Sequence, residues 1–458
     1  MNFVKNFSSL SLPNSIPSGS IGKVGFFFGT LFLGQWVLSD LVHIPGGGLG
    51  ILAVGAGIWW FVKSEKGSFK SPSTVQGWIS RCYETLEQFE ELEESEKSLI
   101  NRKLRINYLE GILERSEPQN ISFISTAGVE LPNKNEVELA LSNEASLNLS
   151  FKSILPIRDE SWVLPNSVYE QDLLVYVLPL PLRAADLLWL KKIPEDQPSW
   201  VMVSWKDSST WDEQLKDLQA QLPSCWSSRV LRLVGSSEEM SSVLSPIRNV
   251  LDQPKTNIEI TKQRLLSILH SSWQADLETL RRDKFKSIQN RSQWIVAGAV
   301  FASPVPSADL LSVAVVNGLM IQEMAKIWSC KIQPEMLQTV ARQLAIAAIA
   351  QGVVEWSGQA LLGVAKFHGG SWVAAGSMQA LSAAYLTRVV GRSMADWMAL
   401  NNGVLEPDLE LLKHQASQLV TAAAEEERVD WVGFLNQGKS WIQNQVKEAQ
   451  LNAKILPS

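Results

Sequence analysis

The sequence predicts an α/β domain with a parallel sheet, followed by an all-α domain of apolar helices and preceded by a hairpin of two membrane helices. Three observations carry this. Short apolar runs alternate with helical stretches between residues 119 and 253, the pattern of strands covered by helices on both faces. Apolar stretches rich in Ala and Gly recur after residue 293. Near the start, two apolar stretches flank the turn Pro45-Gly46-Gly47-Gly48.

A chain of 458 residues is too long for one hydrophobic core, so several domains are expected. Charged residues make up 19%, below the roughly 25% usual for soluble domains. Mean hydropathy is +0.01, which fits soluble parts joined to membrane-embedded ones. A net charge of −6 speaks against a nucleic-acid binder, which needs a basic footprint. Cys82, Cys225 and Cys330 are far apart, and so are His43, His270, His368 and His414. Neither a disulfide framework nor a zinc site is indicated, no metal or cofactor is expected, and a reducing cytoplasm suits the soluble part.

Residues 1–20 read as a flexible N-terminus and 21–63 as the hairpin. The stretch 24–44 is long enough to cross a bilayer core of roughly 30 Å. The stretch 49–62 is shorter and carries no charge. Lys5 and Lys23 precede the pair, Lys63, Lys66 and Lys70 follow it, and the turn has no Lys or Arg. The positive-inside rule therefore places both ends in the cytoplasm.

Residues 74–117 read as a charged helical arm, with Trp78, Cys82, Leu86 and Phe89 at helical spacing. In the α/β region, residues 121–125, 173–178, 200–204 and 230–234 read as strands. Residues 136–141, 184–192, 213–222 and 241–251 read as helices. A connecting helix at 256–292 ends in Arg281, Arg282, Lys284, Lys286 and Arg291, a basic cluster suited to an anionic lipid leaflet. An apolar helical domain (293–400) and a polar, amphipathic tail (405–458) complete the chain, the tail including Val432, Leu435, Trp441, Ile442 and Val446.

The loop after the first strand reads Ser125-Thr126-Ala127-Gly128-Val129-Glu130-Leu131-Pro132. A phosphate-binding loop there needs glycines for close approach, a lysine for the β- and γ-phosphates and a hydroxyl for magnesium. Ser125 and Glu130 stand at the glycine positions, Leu131 at the lysine and Pro132 at the hydroxyl. Glu130 adds a like charge, Leu131 removes the cation, and Pro132 has neither N–H nor hydroxyl. The charge-assisted hydrogen bonds so lost are worth about 1.5–3 kcal/mol each.

With these positions in view, residues 120–252 resemble the translation-factor-like (Era-like) GTPases. Asp159-Glu160-Ser161-Trp162 stands where Asp-x-x-Gly belongs, with Trp162 replacing the glycine. Lys206 and Asp207 in Ser204-Trp205-Lys206-Asp207 are similar to the base-specifying Asn-Lys-x-Asp motif. Val234-Gly235-Ser236-Ser237 sits at the last base-contacting loop. The resemblance implies a degenerate P-loop GTPase-like fold with every motif damaged.

A second resemblance rests on Gly298-Ala299-Val300-Phe301-Ala302-Ser303-Pro304-Val305-Pro306-Ser307-Ala308-Asp309-Leu310, with Met320-Ile321 and Met324-Ala325 after it. Gly376–Gln379, Ala383–Thr387 and Gly391 continue it. The region 294–398 looks like the YcjF-like family, a domain of unknown function. The family implies membrane association, and its domain often follows a GTPase domain.

Pro304 and Pro306 break an apolar helix, and Asp309 is the one charge beside the break. Ser307 or Asp309 reads as a helix cap after the proline turn, and Asp309 alternatively as part of a polar path or oligomer contact. Trp294 and Trp328 flank this segment as interfacial anchors would. Gly and Ala at helical spacing permit close packing, including between copies of the chain.

The function expected is that of a non-catalytic integral membrane protein, a scaffold or organising factor whose partners are lipids and another protein. The alternatives are a GTP-binding protein using a cation from elsewhere, Lys134 being nearest, and a channel or transporter subunit with Asp309 on its path.

Overall fold

The computed structural model describes residues 71–93, 95–126, 129–142, 146–154, 164–204, 209–233, 237–302, 306–330, 332–367, 375–401 and 409–455. The expected hairpin at 21–63 lies outside them. The chain divides into two compact units, Ser71–Glu278 and Thr279–Ser458.

The first unit opens with helices α1 (Val75–Leu92) and α2 (Ser95–Leu113). Thr74 caps α1 through its hydroxyl, which accepts the Gly77 N–H at 3.1 Å. Trp78, Cys82, Leu86 and Phe89 recur along one side of α1 and are all buried, as their spacing requires. Glu93 at the corner receives Arg105 from α2 at 2.8 Å.

The sheet has five strands: β1 (Gln119–Thr126), β2 (Leu147–Ile154), β3 (Leu173–Leu178), β4 (Ser199–Ser204) and β5 (Val230–Leu233). Their order is β2-β1-β3-β4-β5, and every pairing is parallel. Between them run α3 (Lys134–Leu141), α4 (Asn166–Tyr169), α5 (Ala184–Lys192), α6 (Trp211–Gln221), α7 (Ser237–Val243) and α8 (Ser245–Leu251). The period of two is plain in β3. Leu174, Tyr176 and Leu178 join one core with Trp189 and Leu218, while Leu173, Val175 and Val177 join the other with Val137 and Ile247. A strand buried on both faces reads as a continuous apolar run for this reason.

Helix α9 (Pro254–Ala302) is 49 residues long, and the unit boundary falls inside it. It does not stop near residue 292, where the sequence expectation placed the end of a connecting helix. Its first part is fixed to the rest of the first unit by buried polar groups. Asn257 donates to the Gln119 side chain at 2.8 Å, and Arg264 donates to the Gln171 carbonyl at 2.7 Å.

The second unit contains the rest of α9 and helices α10 (Pro306–Ile327), α11 (Pro334–Ala350), α12 (Val353–Phe367), α13 (Ala375–Leu400), α14 (Leu409–Val429) and α15 (Trp431–Ile455). The expected break before Asp309 is present: α9 ends at Ala302 and α10 starts at Pro306, a proline in a first turn where no N–H partner is lost. The apolar run over 344–367 is divided between α11 and α12, where Gly352 takes φ +69°. One core joins this unit, with Phe285, Met320, Val340, Trp397 and Phe434 among its buried members. Trp328 belongs to it and Trp294 packs against it. Trp328 is 1% exposed, and Trp294 stacks on Trp441 at 5.7 Å and on Phe434 at 5.9 Å. Val432 departs from the amphipathic pattern of the tail and is 70% exposed.

Among the described residues no single helix is long and apolar enough to cross a membrane. The bent pair Pro334–Ala350 and Val353–Leu361, meeting at 53°, passes by length and composition together.

Candidate functional site

Doubly wound sheets bind ligands beyond the carboxyl ends of their strands, where the strand order reverses. Here that point lies between β1 and β3, since β1 leads outward to β2 and β3 leads the other way to β4. Ser125 of β1 pairs in register with Val177 of β3, so the last turn of each strand faces the same crevice.

Four side chains meet there. Asp186, in the first turn of α5, has a wholly buried carboxylate. Its Oδ1 accepts the Tyr176 hydroxyl at 2.8 Å and the Thr126 hydroxyl at 3.3 Å. Its Oδ2 accepts Nε of Arg183 at 3.0 Å. Arg183 also donates to the Thr126 hydroxyl from Nη2. Thr126 ends β1, Tyr176 lies in β3, and Arg183 immediately precedes α5. A carboxylate near a helix N-terminus is favoured by the helix dipole, and three donors offset its desolvation. Burial, and after it the Asp186 charge, push the Tyr176 phenol well above its ordinary range, so it acts as a fixed hydrogen-bond donor. The crevice is thus occupied by the protein's own anion and cation.

The loop that would cradle phosphate is used structurally. The Ser125 hydroxyl donates to the Val129 carbonyl at 3.2 Å, and the Val129 N–H bonds the Thr126 carbonyl at 3.1 Å. Leu131 packs against the sheet core, Pro132 is buried, and Glu130 is exposed. Lys134 pairs with Glu138 at 3.5 Å on the outside of α3. Gly128, Asp159, Trp162, Lys206, Asp207 and Pro304 lie outside the described residues, as do the side chains of Pro306 and Asp309.

The basic cluster at 281–291 is not one open patch. Arg281 is 1% exposed, and Arg282 pairs with Asp396 at 2.7 Å. Lys286 pairs with Asp283 at 2.9 Å, and Arg291 with Glu323. Lys284 is exposed.

The second unit holds a polar centre that spacing alone did not reveal. Glu427 of α14 is 1% exposed and accepts Arg388 at 2.6 Å, Arg392 at 3.1 Å and Gln289 at 3.3 Å. Arg388 also reaches Asp430 at 2.9 Å. The network ties α9, α13 and α14 together. Among the described residues no group of His, Cys, Asp and Glu could hold a metal ion.

Residues 266–425 match the model of a family described as Domain of unknown function (DUF697). The C-terminal part of the chain therefore carries a domain of this family. The match begins before Trp294 and ends beyond Met398, so it takes in more of α9 and most of α14 than the motif residues alone marked out. No curated protein and no solved structure matches the chain.

Proposed function

We propose that this chain is a non-catalytic integral membrane protein, in which a GTPase-like domain that holds no nucleotide serves protein contacts between an N-terminal anchor and the DUF697 domain. The observation that carries this reading is the Asp186–Arg183–Thr126 cluster at the end of β1. A nucleotide needs cationic and N–H donors at that end, and Asp186 presents a buried negative charge there instead. Glu130, Leu131 and Pro132 in the adjoining loop supply neither cation nor hydroxyl. The parallel order β2-β1-β3-β4-β5 is compatible with a GTPase core, but the same order serves other doubly wound folds, so the argument stands on the site.

The alternative of a GTP-binding protein with a relocated cation gains little. Lys134 is turned to Glu138, and the charge of Arg183 is already balanced by Asp186. Two measurements test the proposal. Titration of purified full-length protein with GTP and magnesium is expected to give no saturable heat; saturation in the micromolar range would overturn the non-catalytic reading. Alkaline carbonate extraction is expected to leave the full chain in the membrane pellet; release into the supernatant would overturn the anchor.

A further inference from the structure

We propose that the outward face of α2 rests on the surface of a lipid bilayer, an inference that depends on the membrane-anchor reading above. Ile100, Leu104 and Tyr108 follow one another at four-residue steps and so form one stripe along the helix. They are 67%, 54% and 71% exposed, whereas Ser98 and Leu109 on the opposite side are buried. Leu99, 73% exposed, lies off this stripe, so the outward face holds three of the four large exposed apolar side chains described on the helix.

Size and tethering decide what covers it. Three side chains fall well short of the roughly 800 Å² per partner that a stable protein interface buries. A second copy or a folded partner held by this stripe alone would dissociate. A bilayer has no such threshold when the helix is delivered to it. Residue 63, where the expected membrane hairpin ends, precedes Val75 of α1 by 12 residues, at most about 43 Å of chain. Tethering at that range raises the effective concentration enough for a weak apolar contact to be populated.

The chemistry of the face agrees. Tyr108 has an apolar ring and a polar tip, which suits the headgroup level. Arg102 and Arg105 pair with Glu90 and Glu93 of the preceding segment, at 2.6 and 2.8 Å. Among the described side chains the other charges of α2 are Lys103 and Glu110, one of each sign. The contact is accordingly apolar and independent of anionic lipid.

The test is photo-crosslinking of the full chain reconstituted in vesicles, with p-benzoylphenylalanine placed at Leu104 or, as an exposed control, at Glu213 of α6. Protein that floats with phosphatidylcholine vesicles is expected to give lipid adducts several-fold more often from position 104 than from 213. Adding phosphatidylglycerol should leave that ratio unchanged. Flotation without adducts at 104 would overturn the α2 contact while leaving the anchor standing. Failure to float would overturn both. A crosslinked dimer through position 104 would assign the face to a second copy, and a ratio that rises only with phosphatidylglycerol would assign it to charge; each overturns the proposal.

Discussion

Arg388 donates through Nε to Oε2 of Glu427 at 2.6 Å, across a pair in which neither side chain is more than 9% exposed. Removing one partner of a buried pair strands the other charge, at a cost of roughly 3–5 kcal/mol. Glu427→Ala should therefore lower the stability of the helical unit by about that amount, read as a fall in the thermal unfolding midpoint. The double replacement Arg388→Met with Glu427→Leu should recover most of the loss, since it strands no charge at that pair. Equal destabilisation by both variants would contradict this account.

At the sheet crevice, Tyr176→Phe deletes one of the donors to Asp186 and leaves the ring in place. The expected cost is about 1–3 kcal/mol, the penalty for an acceptor left partly unsatisfied in a buried site. A urea titration followed by fluorescence should show an earlier midpoint with unchanged slope. No shift would mean that water replaces the hydroxyl freely.

His270 of α9 packs against Trp78 of α1, with ring centroids 5.7 Å apart. Burial first, then the nearby Arg81 charge, hold its pKa below the ordinary 6.5, with Glu84 opposing. A histidine kept neutral in the folded state binds fewer protons than in the unfolded chain. Its effect on stability is nil above the unfolded value and turns unfavourable as pH falls through it. Unfolding midpoints should drop between pH 7.5 and 5.5, and His270→Gln should flatten that part of the profile. A slope unaltered by the substitution would assign the acid sensitivity to other groups.

Gly391 of α13 sits where an added Cβ would stand 3.0 Å from Cε of Met320 and 3.4 Å from Cζ of Phe285. Alanine gains about 1 kcal/mol of helix propensity, and the end of Met320 can swing aside, so Gly391→Ala should be near neutral. Gly391→Val pushes a branched side chain toward Phe285 and should cost about 1–3 kcal/mol. Thermal unfolding of the two variants separates the cases, and similar values for both would show open space at that position.

The fold was legible where apolar runs were long or continuous. Residues 173–178 and 184–192 agree with β3 and α5 at both ends, because a strand covered on both faces and a short apolar helix leave sharp edges. Strand β2 escaped notice. Asn148, Ser150, Lys152 and Ser153 dilute its signal at a sheet edge, although Leu147, Leu149 and Phe151 do alternate toward the core. The candidate site was less legible for a topological reason. Reading motifs forward from β1 finds Glu130, Leu131 and Pro132, whereas Thr126, Tyr176 and Asp186 come from three segments that meet only because β3 lies beside β1. An aspartate in the otherwise apolar opening of α5 was the available clue. The break at Gly352 was likewise written in the Gln351-Gly352 pair, and the apolar stretch on both sides concealed it.

With Asp186 and Arg183 furnishing both signs from inside the chain, the charges at the end of β1 balance one another without an ion from solution.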